Sequence, residues 1–170
     1  MSEQTPAVFT ETSYRRLVNS MTTRKHIHEE IFDADPQTLF ALLHTPSAIR
    51  QWWGASHVIV DSKPGGVWVG LWGDEDSPEF ITAGRMRIFD PPKRILFSDF
   101  EYFARSGPLP FAANLTSDFT VNPIEPGKTS LRVVQDGFPS DSAADEFYAG
   151  CEVGWRETFA GIRRYLESKH

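Results

Sequence analysis

The chain has 170 residues, of which 40% are hydrophobic, 13% aromatic and 24% charged, a composition typical of one globular domain with a single core. Its formal net charge is −6, which repels phosphate backbones and anionic surfaces, so no nucleic acid is expected as a partner. No apolar run approaches the roughly 20 residues of a membrane span. A single cysteine, Cys151, permits no intrachain disulfide, and no secretory signal pattern is present, so we expect a cytoplasmic location.

The N-terminal residues 1–24 are polar and rich in Ser and Thr. They show no hydrophobic period, and we expect them to form an N-terminal arm or tail. The remaining residues, 25–170, are predicted to form the folded domain. It starts with alternating polar and apolar residues over Lys25–Phe32, a pattern typical of a strand with one buried face.

Two short helices are predicted after this first strand. Asp33 or Asp35 can cap the first helix, and Pro36 is tolerated in its first turn. The second helix begins at Thr45-Pro46 and ends at Trp52-Trp53-Gly54. We expect these two tryptophans to cap the core where helix meets sheet, with one ring at a cavity mouth as the alternative.

Six further strands are predicted from short apolar runs separated by turn residues rich in Gly, Pro and Asp. Their predicted bounds are His57–Asp61, Val67–Trp72, Phe80–Phe89, Arg94–Phe100, Leu115–Val121 and Thr129–Gln135. Short strands joined by tight turns indicate an antiparallel meander. In the second of these runs both faces are apolar, so the face turned away from the core is free to meet a partner protein or a second copy.

The last predicted element is a long amphipathic helix. Ser142 with Asp145 is the predicted N-terminal capping pair. Apolar residues recur after it at spacings of three and four up to Leu166. Gly150 and Gly154 lie inside this helix, where each costs about 1 kcal/mol relative to Ala. Either a close approach of the sheet or room left for a ligand would explain that cost.

Several short motifs occur in an order that resembles a known family. They are Trp52-Trp53-Gly54, Pro64-Gly65-Gly66-Val67-Trp68, Gly137-Phe138-Pro139 and Gly154-Trp155. In this order they resemble the activator of heat-shock chaperone (Hsp) ATPase homologue-like family, within the START-like superfamily, also called SRPBCC. The resemblance covers about residues 25–168. It implies an α+β helix-grip fold of the birch-pollen-allergen type, with a curved antiparallel sheet around a long C-terminal helix and two short helices after strand 1.

The resemblance implies three functions that stay open. The first is non-catalytic binding of a small hydrophobic or amphipathic ligand in a cavity between the sheet and the C-terminal helix. The second is a protein-interaction module of the chaperone ATPase activator type, which implies a setting in the stress response. The third is a cyclase- or hydrolase-like enzyme that uses a cavity Asp or His. A homodimer is compatible with all three.

Strand alternation and the helix stripe predict which side chains line such a cavity. The predicted lining consists of Trp68, Met86, Phe97, Phe119, Cys151, Trp155 and Phe159, with Trp53 and Tyr102 near an entrance. We predict no catalytic residue and no cofactor. His26 and His28 share one side of a strand, but a metal site needs three or four ligands, so no metal is expected.

Charged residues on the predicted strands are expected on the outside of the sheet. Asp99, Glu101 and Asp118 are expected to pair there with Arg85, Arg87 or Arg132, and no carboxylate pair is expected to do acid–base work. The segment Glu101–Ala113 departs from the family pattern as an aromatic-bearing insertion. It can cover a sheet edge, form a lid over the cavity or pack on a partner.

Overall fold

The computed structural model describes residues 22–169, so the predicted N-terminal arm lies almost entirely outside the described residues. The strands are β1 (Thr23–Phe32), β2 (His57–Val60), β3 (Val67–Gly73), β4 (Pro78–Asp90), β5 (Arg94–Ala104), β6 (Thr116–Glu125) and β7 (Lys128–Pro139). The helices are α1 (Pro36–Leu42), α2 (Pro46–Trp53) and α3 (Asp145–Glu167), and a 3-10 turn over Ser142–Ala144 precedes α3. No helix in this described part is long and apolar enough to cross a membrane.

All seven strands form one curved antiparallel sheet in the order β1-β7-β6-β5-β4-β3-β2. The two short helices carry the chain from β1 at one edge to β2 at the other. The chain then returns strand by strand to β7, which pairs with β1. This arrangement confirms the predicted α+β helix-grip fold.

The inner face of the sheet, which faces the three helices, carries the core. Fully buried side chains from four strands meet Phe159 and Ile162 of α3 there, namely Phe32, Met86, Ile95, Leu131 and Val133. Trp68 is also buried, so the β3 face of Trp68, Gly70 and Trp72 is the inner one. The sequence alone did not distinguish this face from the other.

Capping follows the predicted chemistry in α1 but not in α3. The Asp35 side chain accepts a hydrogen bond from the Thr38 amide at 2.8 Å. The predicted Ser142–Asp145 pair is wrong, because Asp141 caps the chain instead and accepts from the Ala143 amide at 2.7 Å. The 3-10 turn forms the first turn of this helical segment, and α3 follows it directly. Helix α3 therefore begins without a side-chain cap of its own.

Helix α3 is seated differently along its length. Its C-terminal half is buried, and a Cβ added to Gly161 would lie 2.2 Å from the Trp52 carbonyl oxygen of α2. Its N-terminal half is held from the β1 side, where Arg24 pairs with Asp145 at 2.7 Å and the Tyr148 hydroxyl donates to the Lys25 carbonyl at 3.1 Å. The helix is therefore clamped between β1 and α2.

Candidate functional site

A pocket lies beside the N-terminal half of α3, between the end of β5 and residues 105–115, which connect β5 to β6. Its volume is about 300 Å³, and it is partly open to solvent. The lining consists of Phe100, Tyr102, Pro108, Leu109, Phe111, Ala112, Ala113 and Leu115. Apart from the Tyr102 hydroxyl, these side chains are apolar, so the pocket suits a molecule with an apolar body.

A bulge in β5 turns the pocket-lining side chains inward. Asp99 has φ 52°, and the pairing with β4 shifts register at this point. Asp99 and Phe100 therefore both lie opposite Gly84. Beyond the bulge, the side chains that point inward are Phe100 and Tyr102. The Phe100 ring lies against Gly84, where a Cβ would come 3.0 Å from its Cε1 atom.

The connection after β5 forms the other wall of the pocket. Strand β5 runs to Ala104, so the predicted insertion Glu101–Ala113 is part strand and part loop. Phe111 of the loop meets Phe147 of α3 with ring centroids 5.5 Å apart, and Tyr102 meets the same ring at 5.5 Å. The loop thus packs against α3 beside the pocket, and its role as a lid stays a prediction.

Polar groups cluster just inside this wall. Trp155 donates from its indole nitrogen to the Gln135 side-chain oxygen at 2.7 Å, and Gln135 also hydrogen bonds the Cys151 thiol. Burial raises the pKa of this thiol to about 11. Burial, and then the neighbouring Cys151, raise the pKa of the Tyr102 hydroxyl above its usual range. Both groups are therefore neutral near pH 7, where they can take part in hydrogen bonds without carrying charge.

Aromatic rings continue from this cluster across the inner face of the sheet. Neighbouring ring centroids lie 4.7–6.0 Å apart along the series Trp72, Trp53, Trp68, Phe97, Phe119 and Trp155. Within the described residues, the Trp68 indole nitrogen is the buried side-chain polar atom without a hydrogen-bond partner. A buried donor left unpaired is costly, so an acceptor at this position would be favourable.

The flank of α3 that carries Gly150 and Gly154 is open, and Gly150 is exposed to solvent. A Cβ added to Gly150 or Gly154 would meet nothing within 4 Å. The explanation by close approach of the sheet is therefore wrong for both glycines. The same flank is filled two turns later, where Gly161 touches α2. Room left for a ligand at these two glycines stays a prediction.

The nine predicted lining residues lie between the sheet and α3, but at different depths. Trp68, Met86, Phe97, Phe119 and Phe159 are buried in the core, and Trp53 and Trp155 pack against it half-buried. Cys151 is half-buried on α3. Tyr102 lines the pocket. Contact of all nine with a ligand stays a prediction.

Sequence reasoning missed most of the pocket lining. Phe100 was assigned to a strand but not to the site, because a two-residue period counted from Phe97 places it on the outer face. The loop residues Pro108 and Leu109 carry no periodic signal. The aromatic content of the insertion was the available clue, since Phe111 lies within it.

The charged residues lie away from this pocket. Arg87 pairs with Asp99 at 2.5 Å, which confirms the predicted outside pairing for these two. Asp118 pairs instead with Arg94, at 2.9 and 2.7 Å. Arg132 pairs with Glu29 at 3.8 Å.

The two histidines of β1 each lie against a partner among the described residues. His28 lies 3.0 Å from Glu30, which also receives a hydrogen bond from Arg163 at 2.6 Å. His26 lies 2.8 Å from the Tyr148 carbonyl oxygen and stacks on its ring. Among residues 22–169, no three His, Cys, Asp or Glu side chains are placed to hold a metal ion, and no Asp or Glu is buried.

A curved sheet that grips a long helix, with an aromatic interior between them, defines a START-like (SRPBCC) protein. The sequence profile described as "Activator of Hsp90 ATPase homolog 1-like protein" matches residues 33–167. The chain belongs to this family. No curated protein matches the chain at a significant level.

Solved structures share the fold at low sequence identity. MLL2253 from Mesorhizobium loti has a TM-score of 0.70 and 20% identity, over 86% of this chain and 99% of that one. Ms6760 from Mycobacterium smegmatis has a TM-score of 0.68 and 16% identity, over 86% and 92%. CalU16 from Micromonospora echinospora has a TM-score of 0.61 and 17% identity, over 85% and 74%. At these identities the likeness extends to the fold alone.

Proposed function

We propose that this protein binds, without catalysis, a small apolar or amphipathic molecule between the sheet and the N-terminal half of α3. The observation that carries the proposal is the pocket of about 300 Å³ beneath residues 105–115. That volume lies at the lower end of the roughly 300–1,000 Å³ usual for ligand pockets.

Apolar burial supplies the affinity in this proposal. A ligand that buries about 200 Å² of apolar surface gains about 5 kcal/mol before the costs of association. Tyr102 lines the pocket, and its hydroxyl would orient a polar end of the ligand. The predicted lining residues deeper in the fold, such as Phe119 and Trp155, would contact a longer ligand.

A protein-interaction module of the chaperone ATPase activator type is the second candidate function. Two observations favour it, namely the family to which the chain belongs and exposed apolar side chains on the outer face of the sheet. Ile59 of β2 is 61% exposed and Phe103 of β5 is 52% exposed. This candidate function requires a partner protein on that face, whereas ligand binding requires only the pocket.

The described residues give the cyclase- or hydrolase-like alternative little support. Such an enzyme needs an Asp or His that faces the cavity with a shifted pKa. Burial lowers the pKa of His44, but its ring packs on Phe40 and Phe89 and is not part of the pocket lining. Asp99 and Asp118 form ion pairs with arginines, and the ring and Nε2 of His26 are engaged by Tyr148. The predicted cytoplasmic location remains part of the proposal.

Native mass spectrometry of protein purified from its own host tests the ligand proposal. A stoichiometric adduct that survives mild desolvation, followed by extraction and identification, is the expected result. If the protein is bare and also gives no thermal shift with a broad panel of lipids and metabolites, the ligand proposal fails and the interaction module replaces it.

A further inference from the structure

The outer face of the sheet carries an apolar patch that spans four neighbouring strands. We define the outer patch as Ile59, Val69, Leu71, Ile81, Ala83 and Phe103. Cross-strand pairing aligns these side chains in two rows, with Ile59 beside Val69 and Ala83, and Leu71 beside Ile81 and Phe103. Each row ends in a polar residue at the rim of the patch, Glu101 next to Ala83 and His57 next to Leu71. The three helices lie on the inner face, so none of them covers the patch.

Exposure and size make this patch unusual for a solvent face. Ile59 is 61% exposed and Phe103 is 52% exposed, and they stand at opposite ends of the patch. A contiguous apolar surface of this kind on a soluble domain usually marks an interaction site. The charged residues beside the outer patch indicate which partner fits it.

Charges on β4 give the outer patch a self-complementary pattern. The side chains that β4 presents outward are, in order, Glu79, Ile81, Ala83 and Arg85. The pattern runs acid, apolar, apolar, base. Among the described residues, neither Glu79 nor Arg85 has an ion-pair partner, and the Arg85 guanidinium reaches only the Gly65 carbonyl at 3.4 Å.

We propose that the outer patch is the interface of a homodimer in which two copies pack sheet to sheet. A two-fold axis that crosses β4 between Ile81 and Ala83 sets the two β4 strands antiparallel. Each Glu79 then faces Arg85 of the second copy, because both residues lie about 10 Å from the axis at about 3.3 Å per residue. Two face-to-face sheets pack about 10 Å apart, with strands within about 30° of each other.

The same axis also matches the neighbouring strand. Leu71 lies in the row of Ile81 and Val69 in the row of Ala83, so Leu71 of one copy packs on Val69 of the other. The contact is isologous and closes after two copies. The dimer uses none of the pocket-lining residues, so the proposal does not depend on ligand binding.

Charge reversal tests this geometry. The chain is studied by sedimentation velocity over a wide concentration range, as wild type and as Glu79→Arg, Arg85→Glu and the double variant Glu79→Arg/Arg85→Glu. Each single reversal turns two attractive contacts per dimer into repulsive ones, so the dimer dissociation constant should rise about tenfold or more. The double variant should return close to the wild-type value, because the pairs are restored with opposite signs.

Two controls separate this mechanism from a change in folding or in total charge. Glu157→Arg places the same charge change on an exposed position of α3 and should leave the dimer unchanged. Because residues 79 and 85 are exposed, all variants should unfold at similar urea concentrations. A wild-type monomer at every concentration would overturn the proposal and leave the patch to another protein. The proposal would also be overturned if neither single reversal raised the dimer dissociation constant, or if the double variant did not restore it.

Discussion

Tyr102 of β5 and Phe147 of α3 meet edge to face, with ring centroids 5.5 Å apart and ring planes at 74°. This contact joins the pocket to the first turns of the helix. Phe111 touches the same Phe147 ring from the loop side. Phe147 therefore links β5, the loop and α3 beside the pocket.

Two glycines of α3 give opposite predictions for the same substitution. Gly154→Ala should raise the free energy of unfolding by up to about 1 kcal/mol, because alanine has the higher helix propensity and its Cβ would meet nothing within 4 Å. Gly161→Ala should lower it by about 1–3 kcal/mol, because the new Cβ forces the helices apart where the Trp52 oxygen is 2.2 Å away. Urea unfolding measures both. Effects of the same sign would contradict the described seating of α3.

The Trp68 indole provides a matched comparison with Trp52. Trp68 is 6% exposed and Trp52 is 8% exposed, but only Trp52 donates its indole hydrogen, to the Leu42 carbonyl at 3.0 Å. Trp52→Phe should therefore destabilise the protein by about 1–3 kcal/mol more than Trp68→Phe, since it leaves a buried acceptor unpaired. If urea unfolding shows the same loss of unfolding free energy for both variants, the Trp68 indole has a hydrogen-bond acceptor in solution.

The hydrogen bond between Trp155 and Gln135 should show coupling in a double-mutant cycle. Trp155→Phe leaves the buried Gln135 oxygen without this donor, and the expected loss is about 1–3 kcal/mol beyond the loss of packing. Gln135→Leu in the same chain should recover part of that loss, because both partners are then apolar. If the changes in unfolding free energy of Trp155→Phe and Gln135→Leu simply add in the double variant, the hydrogen bond at 2.7 Å is contradicted.

Cys151 should react slowly with iodoacetamide in the folded protein. Its thiol has a pKa of about 11 because of burial, so about 0.1% is ionised at pH 8, against about a quarter for an ordinary cysteine. The rate should rise about tenfold per pH unit and level off only above pH 11. The urea-unfolded chain is the control, and it should react about two-hundredfold faster at pH 8. Equal rates in the two states would show an exposed thiol.

Periodicity was enough to predict the strands, the helices and most of the core. The stripe of α3 places Phe159 in the interior, and alternation in β4 places Met86 there, where both are fully buried. These predictions succeed because burial repeats with the geometry of the element itself.

The pocket was harder to predict, since it arises where regular geometry breaks. The bulge at Asp99 shifts the inward side of β5 by one residue, so Phe100 faces inward against the period. The Gln135–Trp155 bond and the open flank at Gly154 depend on how β7 and α3 sit in space. No local pattern contains that information.

Native mass spectrometry of three chains purified in parallel from the host tests the ligand-binding account most directly. Ala113 lines the pocket, so Ala113→Phe places a ring inside it, while Ile124→Phe adds the same ring at an exposed residue outside the pocket lining. The account predicts a bound small molecule on wild type and Ile124→Phe, and its loss from Ala113→Phe at unchanged stability. Equal occupancy of wild type and Ala113→Phe would contradict it.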